Sequence, residues 1–205
     1  APRDEPKSLG IIGGLLSKVP LRARGTIELA VPLFHAPGFP SMTLGLALGS
    51  TVIVRRRFDP EVTLDSMQDN ECTALVVVPV MLQRMLDLGE DKVKDRDLSA
   101  LKVIFVSGSA VGPELVKRTL KAFGPVLYNM YGSTEIAYVT IAGPDDLKRE
   151  PGAVGKVVRG TVVKILDEHG TEVENGESGR IFVGNSAQME GYTGGENKEI
   201  IEGLM

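Results

Sequence analysis

Tryptophan is absent, cysteine occurs once and histidine twice among the 205 residues. Each shortage removes a class of chemistry. With Cys72 as the only cysteine, neither an internal disulfide nor a cysteine-based metal cluster can form. With His35 and His169 as the only histidines, a multi-histidine zinc site is excluded too. A net charge of −4, without blocks of like charge, offers no basic surface for nucleic acid. The N-terminus lacks the basic-then-apolar pattern of a secretory signal. A single cysteine suits a reducing compartment, so a cytoplasmic location is expected.

Charge is also missing from one long run, between Glu28 and Arg55. That run is long enough to span a bilayer. Pro32, Pro37 and Pro40, together with Gly38, Gly45 and Gly49, would break a membrane helix repeatedly. It therefore reads as turn, short buried helix and strand. The triplet Arg55–Arg57 that closes it reads as a solvated strand end, with peripheral contact to an anionic membrane or a partner as the other reading. The chain opens on the polar "APRDEPKS" and stops in mid-pattern at "EGLM", so a piece of something longer is expected.

What remains is an ordinary mixture, 42% hydrophobic and 24% charged, with length for one substantial core or two small ones. A helix is expected near residues 8–18, a strand near 26–31, and an apolar helix near 41–48 between Pro40 and Gly49. From Ser50 to Met130 strand and helix alternate four times. "STVIV", "TALVVV", "KVIFV" and "VLYNM" are near-continuous apolar strands. Between them lie "DPEVTLDSMQDN", with Asp59 as N-cap and Pro60 at the first helical position, "VMLQRMLDLG" and "GPELVKRTLKAFG". Such strands joined by amphipathic helices imply an α/β fold, a mostly parallel sheet flanked by helices. After about Gly143 the helical period is lost. Short β-prone runs separated by "DEHG" and "NGESG" predict a small antiparallel, barrel-like β unit. The expected division is therefore 1–142 and 143–205.

Ligands of parallel sheets sit outside the carboxyl ends of the strands. Two polar segments fall there, "SGSAVG" after "KVIFV" and "YGSTE" after "VLYNM". In the second, Gly132 permits close backbone approach, the hydroxyls of Ser133 and Thr134 suit phosphate oxygens, and Glu135 is a hard oxygen ligand for magnesium. Equally, the segment could be a turn with a hydroxyl capping the next element. "SGSAVG" reads either as room for a flat ring or as a loop before a helix. His35, in "PLFHAPGF", reads as a packing residue or a catalyst.

Taken in order, the segments resemble the adenylate-forming superfamily, which comprises acyl-CoA synthetases, firefly luciferase and peptide-synthetase adenylation domains. "PLFHAPG" is similar to its histidine motif, "VSGSAVGPEL" to its "SGGAPL" adenine segment, and "YNMYGSTE" to its "YGxTE" motif. The stretch "GAVGKVVRG…GESGRIFV…MEGY" is similar to the "GSVGxPxPG…GExGEI…MxGY" that follows. The resemblance implies activation of a carboxylic acid by ATP as acyl-adenylate, then transfer to the thiol of CoA, with Mg²⁺ as cofactor. It implies Glu135 as metal ligand, Thr134 on the α-phosphate, and Tyr131 stacked on adenine with Asn129 and Met130 alongside. Gly108, Ser109 and Ala110 would form the other side of the adenine slot and part of the acyl pocket, with Gly132 and Ser133 also at the nucleotide. His35 would gate the acyl group. Ser109 and Val111 depart from the family's glycine and proline. The resemblance implies a fatty or other apolar acid, with aryl acids open, and places the phosphate loop, a ribose-binding aspartate and a catalytic lysine outside these 205 residues. The chain alone is therefore expected to release no pyrophosphate from ATP. A non-catalytic nucleotide-binding module is the alternative.

Overall fold

The computed structural model describes residues 7–195 and 197–205. Among these, five strands run parallel in the order β2 (Thr51–Val54), β1 (Thr26–Leu29), β3 (Ala74–Val77), β4 (Val103–Val106) and β5 (Leu127–Ser133). Two antiparallel strands complete that sheet, β6 (Ala137–Ala142) and β7 (Lys156–Val157). A second sheet holds only β8 (Thr161–Leu166) and β9 (Arg180–Asn185), paired antiparallel. This is the mixed, mostly parallel sheet expected, followed by a small antiparallel one. The first β run after Gly143, β7, extends the large sheet rather than the small one.

Alternation along each central strand sends its side chains into two cores. Leu75 and Val77 of β3, with Ile104 and Val106 of β4, pack on one face. That face is covered by α3 (Pro60–Asp69), α4 (Pro79–Asp87) and α6 (Pro113–Phe123) through Leu64, Leu82, Met85 and Val116. Ala74, Val76, Val103 and Phe105 face the other way, with Ile27 and Leu29 of β1. That side holds Leu15 of α1 (Lys7–Leu16) and, partly buried, Met42 and Leu44 of α2 (Gly38–Ala47). Asp59 caps α3 as its position predicts, its carboxylate accepting from the amides of Glu61 and Val62 at 3.0 Å each.

Three local expectations shift. Helix α2 starts at Gly38, with Pro40 in its first turn, where an amide has no intrahelical acceptor to lose. Gly89 (φ 110°), directly after the Leu88 cap of α4, also leads into a further short helix, α5 (Glu90–Lys94), which the apolar pattern did not announce. Strand β5 runs past Met130 and turns back on itself. The remaining helix, α7 (Pro144–Arg149), packs against α6, β5 and β6.

Among the described residues, one charged side chain lies in the core. Glu28, in the middle of β1, is fully buried. Its Oε1 accepts from Arg55 Nε at 3.1 Å and its Oε2 from the Ser66 hydroxyl at 2.7 Å. Arg55, one residue past β2, is thus not simply a solvated strand end: it crosses from the edge strand to neutralise a carboxylate under α3. Cys72 lies nearby, and burial together with the Glu28 charge pushes its thiol up to about 12, so it stays protonated and unreactive.

Candidate functional site

Glycine 132 decides the local geometry. The ladder between β5 and β6 slips between Tyr131 and Gly132, and a Cβ on Gly132 would lie 1.9 Å from the Ala137 carbonyl oxygen. Only glycine lets the two strands close this tightly. The chain then turns through Thr134–Ile136 and re-enters as β6 at Ala137, whose φ of 60° is unusual for a residue with a side chain. "YGSTE" is therefore a bulged hairpin tip, not a strand end leading to a helix. It projects Ser133, Thr134 and Glu135 beyond the sheet.

Two depressions meet at this tip. The first is a cavity of about 580 Å³. His35, Ser107, Gly108, Thr134 and Glu135 stand at the strand carboxyl ends that border it, while Val76, Phe105, Ile27, Leu44 and Leu15 continue its lining along the sheet. Ile27 is level with Ala74 and so with Val103, five residues before Gly108. At ~3.3 Å per residue the lining extends about 16 Å along the sheet face. Among the described residues that line it there is no lysine or arginine. The second depression, about 430 Å³, lies across the tip and is bordered by Tyr131, Ile181, Lys198 and Met205. Gly132, Ser133 and Glu135 border both.

The carboxylate of Glu135 is held from the small sheet's side. The Tyr192 hydroxyl donates to its Oε1 at 2.6 Å. That bond, with help from Ser133, draws the Glu135 carboxyl down to about 2, and the same contact raises Tyr192. Glu135 is therefore ionised throughout the neutral range. Among the described residues no group of three acids, histidines or cysteines could cage a metal. One ionised, accessible carboxylate fits Mg²⁺ carried by a polyphosphate, since that ion uses one or two carboxylates and takes its other ligands from phosphates and water.

The remaining candidates are placed less uniformly. His35 lines the cavity with an exposed ring. Its Nδ1 accepts the Ala36 amide at 3.0 Å, so the neutral ring carries its proton on Nε2. Met130 lines the cavity, whereas Tyr131, its neighbour on the strand, borders the second depression. Asn129 is buried, and Ser109 and Ala110 are exposed; none of the three borders either depression. Within the segment 38–49, Leu44 and Gly45 line the cavity, and Gly38, Leu46, Leu48 and Gly49 do not. Lys198 and Tyr192 were missed as site residues. "MEGY" was visible as a motif, but nothing local in it points at a carboxylate 57 positions away.

The model of the AMP-binding enzyme family matches residues 16–193. The indoleacetate–CoA ligase of Aromatoleum aromaticum is 32% identical over 177 residues, covering 84% of this chain and 34% of that protein. A medium/long-chain-fatty-acid–CoA ligase of Mycobacterium tuberculosis is 32% identical over 166 residues, covering 80% and 28%. The chain thus spans about a third of the length of the curated relatives it matches. Among solved structures, the amide bond synthetase of Marinactinospora thermotolerans superposes with a TM-score of 0.81 at 26% identity, over 88% of this chain and 37% of that one.

Proposed function

The chain belongs to the AMP-binding enzyme family, and from that premise we propose that it carries the acid- and nucleotide-binding centre of an ATP-dependent acid–CoA ligase. The observation that carries the reading is the shared rim. An apolar cavity and a more polar depression meet at Gly132, Ser133 and Glu135. An acid lying in the first and ATP in the second bring carboxylate and α-phosphate together at the hairpin tip. The acid's oxygen attacks the α-phosphorus and pyrophosphate departs. The thiol of CoA then attacks the acyl carbon and AMP departs. Much of the protein's part is orientation and stabilisation of charge. Thr134 offers a hydroxyl to the α-phosphate and Tyr131 a flat face to adenine. His35, through Nε2–H, stands at the acyl end. Mg²⁺, when bound, would neutralise phosphate charge beside Glu135.

The cavity argues for the acid's character. It is elongated and apolar, with no cationic side chain among the described residues of its lining. A neutral hydrocarbon or aryl tail gains about 0.8 kcal/mol per buried methylene there. A second carboxylate at the far end would be buried without a partner. Hydrolysis-resistant acyl-sulfamoyl adenosines test this by calorimetric titration. A decanoyl analogue is expected to bind at least about tenfold more tightly than the same analogue ending in a carboxylate. Equal affinities would contradict the assignment of the cavity to an apolar acid.

A further inference from the structure

The segment that leaves β9 crosses the hairpin tip and is fastened to it three times. The Asn185 side-chain amide donates to the Ile136 carbonyl at 2.7 Å. The Met189 amide donates to the Glu135 carbonyl at 2.8 Å. The Tyr192 hydroxyl donates to the Glu135 carboxylate at 2.6 Å. Two of these bonds hold backbone and fix where the turn sits. The third holds a side-chain oxygen and fixes where the charge points. Tyr192 is itself anchored, its amide donating to Asn197 Oδ1 at 2.9 Å.

We propose that Tyr192 is a positioning residue for the nucleotide-bound metal: its hydroxyl occupies Oε1 of Glu135 and so presents Oε2 to the cation. A carboxylate has lone pairs enough for both partners. An unrestrained glutamate at an exposed hairpin tip would sample several rotamers and lose that freedom on binding. The Tyr192 hydroxyl, together with the Ser133 contact to the same carboxylate, removes much of that loss beforehand. Groups that orient a metal ligand in this way typically change metal affinity 10- to 100-fold when removed. The small β8–β9 sheet thereby acquires a task, because its exit segment carries the residue that sets the carboxylate on the large sheet. This inference rests on the reading of Glu135 as the metal ligand.

The test compares the 205-residue protein with Tyr192→Phe and Glu135→Gln, titrating ATP with Mg²⁺ and again with EDTA. Phenylalanine keeps the ring and deletes only the hydroxyl. The wild type is expected to bind Mg–ATP more tightly than free ATP, and Glu135→Gln to lose the difference. Tyr192→Phe is expected to shrink it by about tenfold while leaving the EDTA value unchanged. A role confined to packing would weaken both values equally and overturn the proposal. Loss of the difference in Glu135→Gln alone, with Tyr192→Phe like wild type, overturns it too. Absence of any difference in the wild type, or its survival in Glu135→Gln, overturns the underlying reading of Glu135 and the inference with it. Amide exchange supplies a second readout without ligand. The Met189 amide and the 134–136 turn are expected to exchange faster in Tyr192→Phe, and unchanged protection would contradict the fastening.

Discussion

Replacing Arg55 by methionine is expected to lower the stability of the chain by about 3–5 kcal/mol. The reason is the asymmetry of the pair it breaks. Glu28 has none of its side chain exposed, whereas Arg55 keeps 32% of its own in contact with solvent. Removing the arginine leaves a carboxylate in the core with Ser66 as its remaining hydrogen-bond donor. Removing the glutamate instead, as in Glu28→Gln, frees an arginine that can turn to water, so the loss is expected to be about 1–2 kcal/mol. Removing both charges, with Glu28→Leu added to Arg55→Met, is expected to recover much of the loss, because a buried pair contributes little net stability over apolar side chains of similar volume. At 2–4 °C per kcal/mol for a chain of this size, the single Arg55→Met change corresponds to a melting point lower by about 6–20 °C. Thermal denaturation of the three variants reads this directly. An Arg55→Met melting point within about 2 °C of wild type would show that the bond does not hold the β1–β2 edge.

Gly132→Ala is the second large effect. An alanine methyl there would meet the Ala137 carbonyl oxygen at 1.9 Å. The obstacle is backbone and cannot rotate away, so β5 and β6 must part at the bulge. Forced overpacking of this kind costs about 3 kcal/mol. Because the strain falls on the turn between Ser133 and Ala137, the site suffers more than the fold. Thr134 and Glu135 move with the tip, and ATP affinity in the presence of magnesium is expected to fall at least about 100-fold, following the loss of metal ligation. Amide exchange is expected to quicken over 131–138 and to stay unchanged in β3 and β4. Wild-type affinity in Gly132→Ala would mean that the tip geometry is irrelevant to the nucleotide.

The sheet was legible because its signals are local. β3 and β4 are buried on both faces and read as unbroken apolar runs. Asp59 and Pro60 mark a helix start within two residues. The histidine segment, the end of β4 and the "YGSTE" tip could be assigned to one place because each follows a strand of the same parallel sheet. What stayed hidden depends on distant partners. Glu28 looks like an interruption in an apolar strand until Arg55 and Ser66, 27 and 38 positions on, are brought against it. The hairpin escaped notice because "YGSTE" contains no two-residue turn signal; its closure rests on Gly132 lying against Ala137, a contact that exists only once β6 has paired. Tyr192 was visible as a motif residue and Glu135 as a candidate ligand; the bond between them was not.

The proposed nucleotide site lies beside the 131–135 tip, on the Tyr131 side. Photolabelling the protein with 8-azido-ATP and Mg²⁺, then digesting with trypsin and mapping the modified peptides, tests that placement most directly. Label is expected in the peptide covering 122–148, with a lesser share in 181–198, both suppressed by unlabelled ATP. Label concentrated on α3 or α4, on the far face of the sheet, or label indifferent to competing ATP, would contradict it.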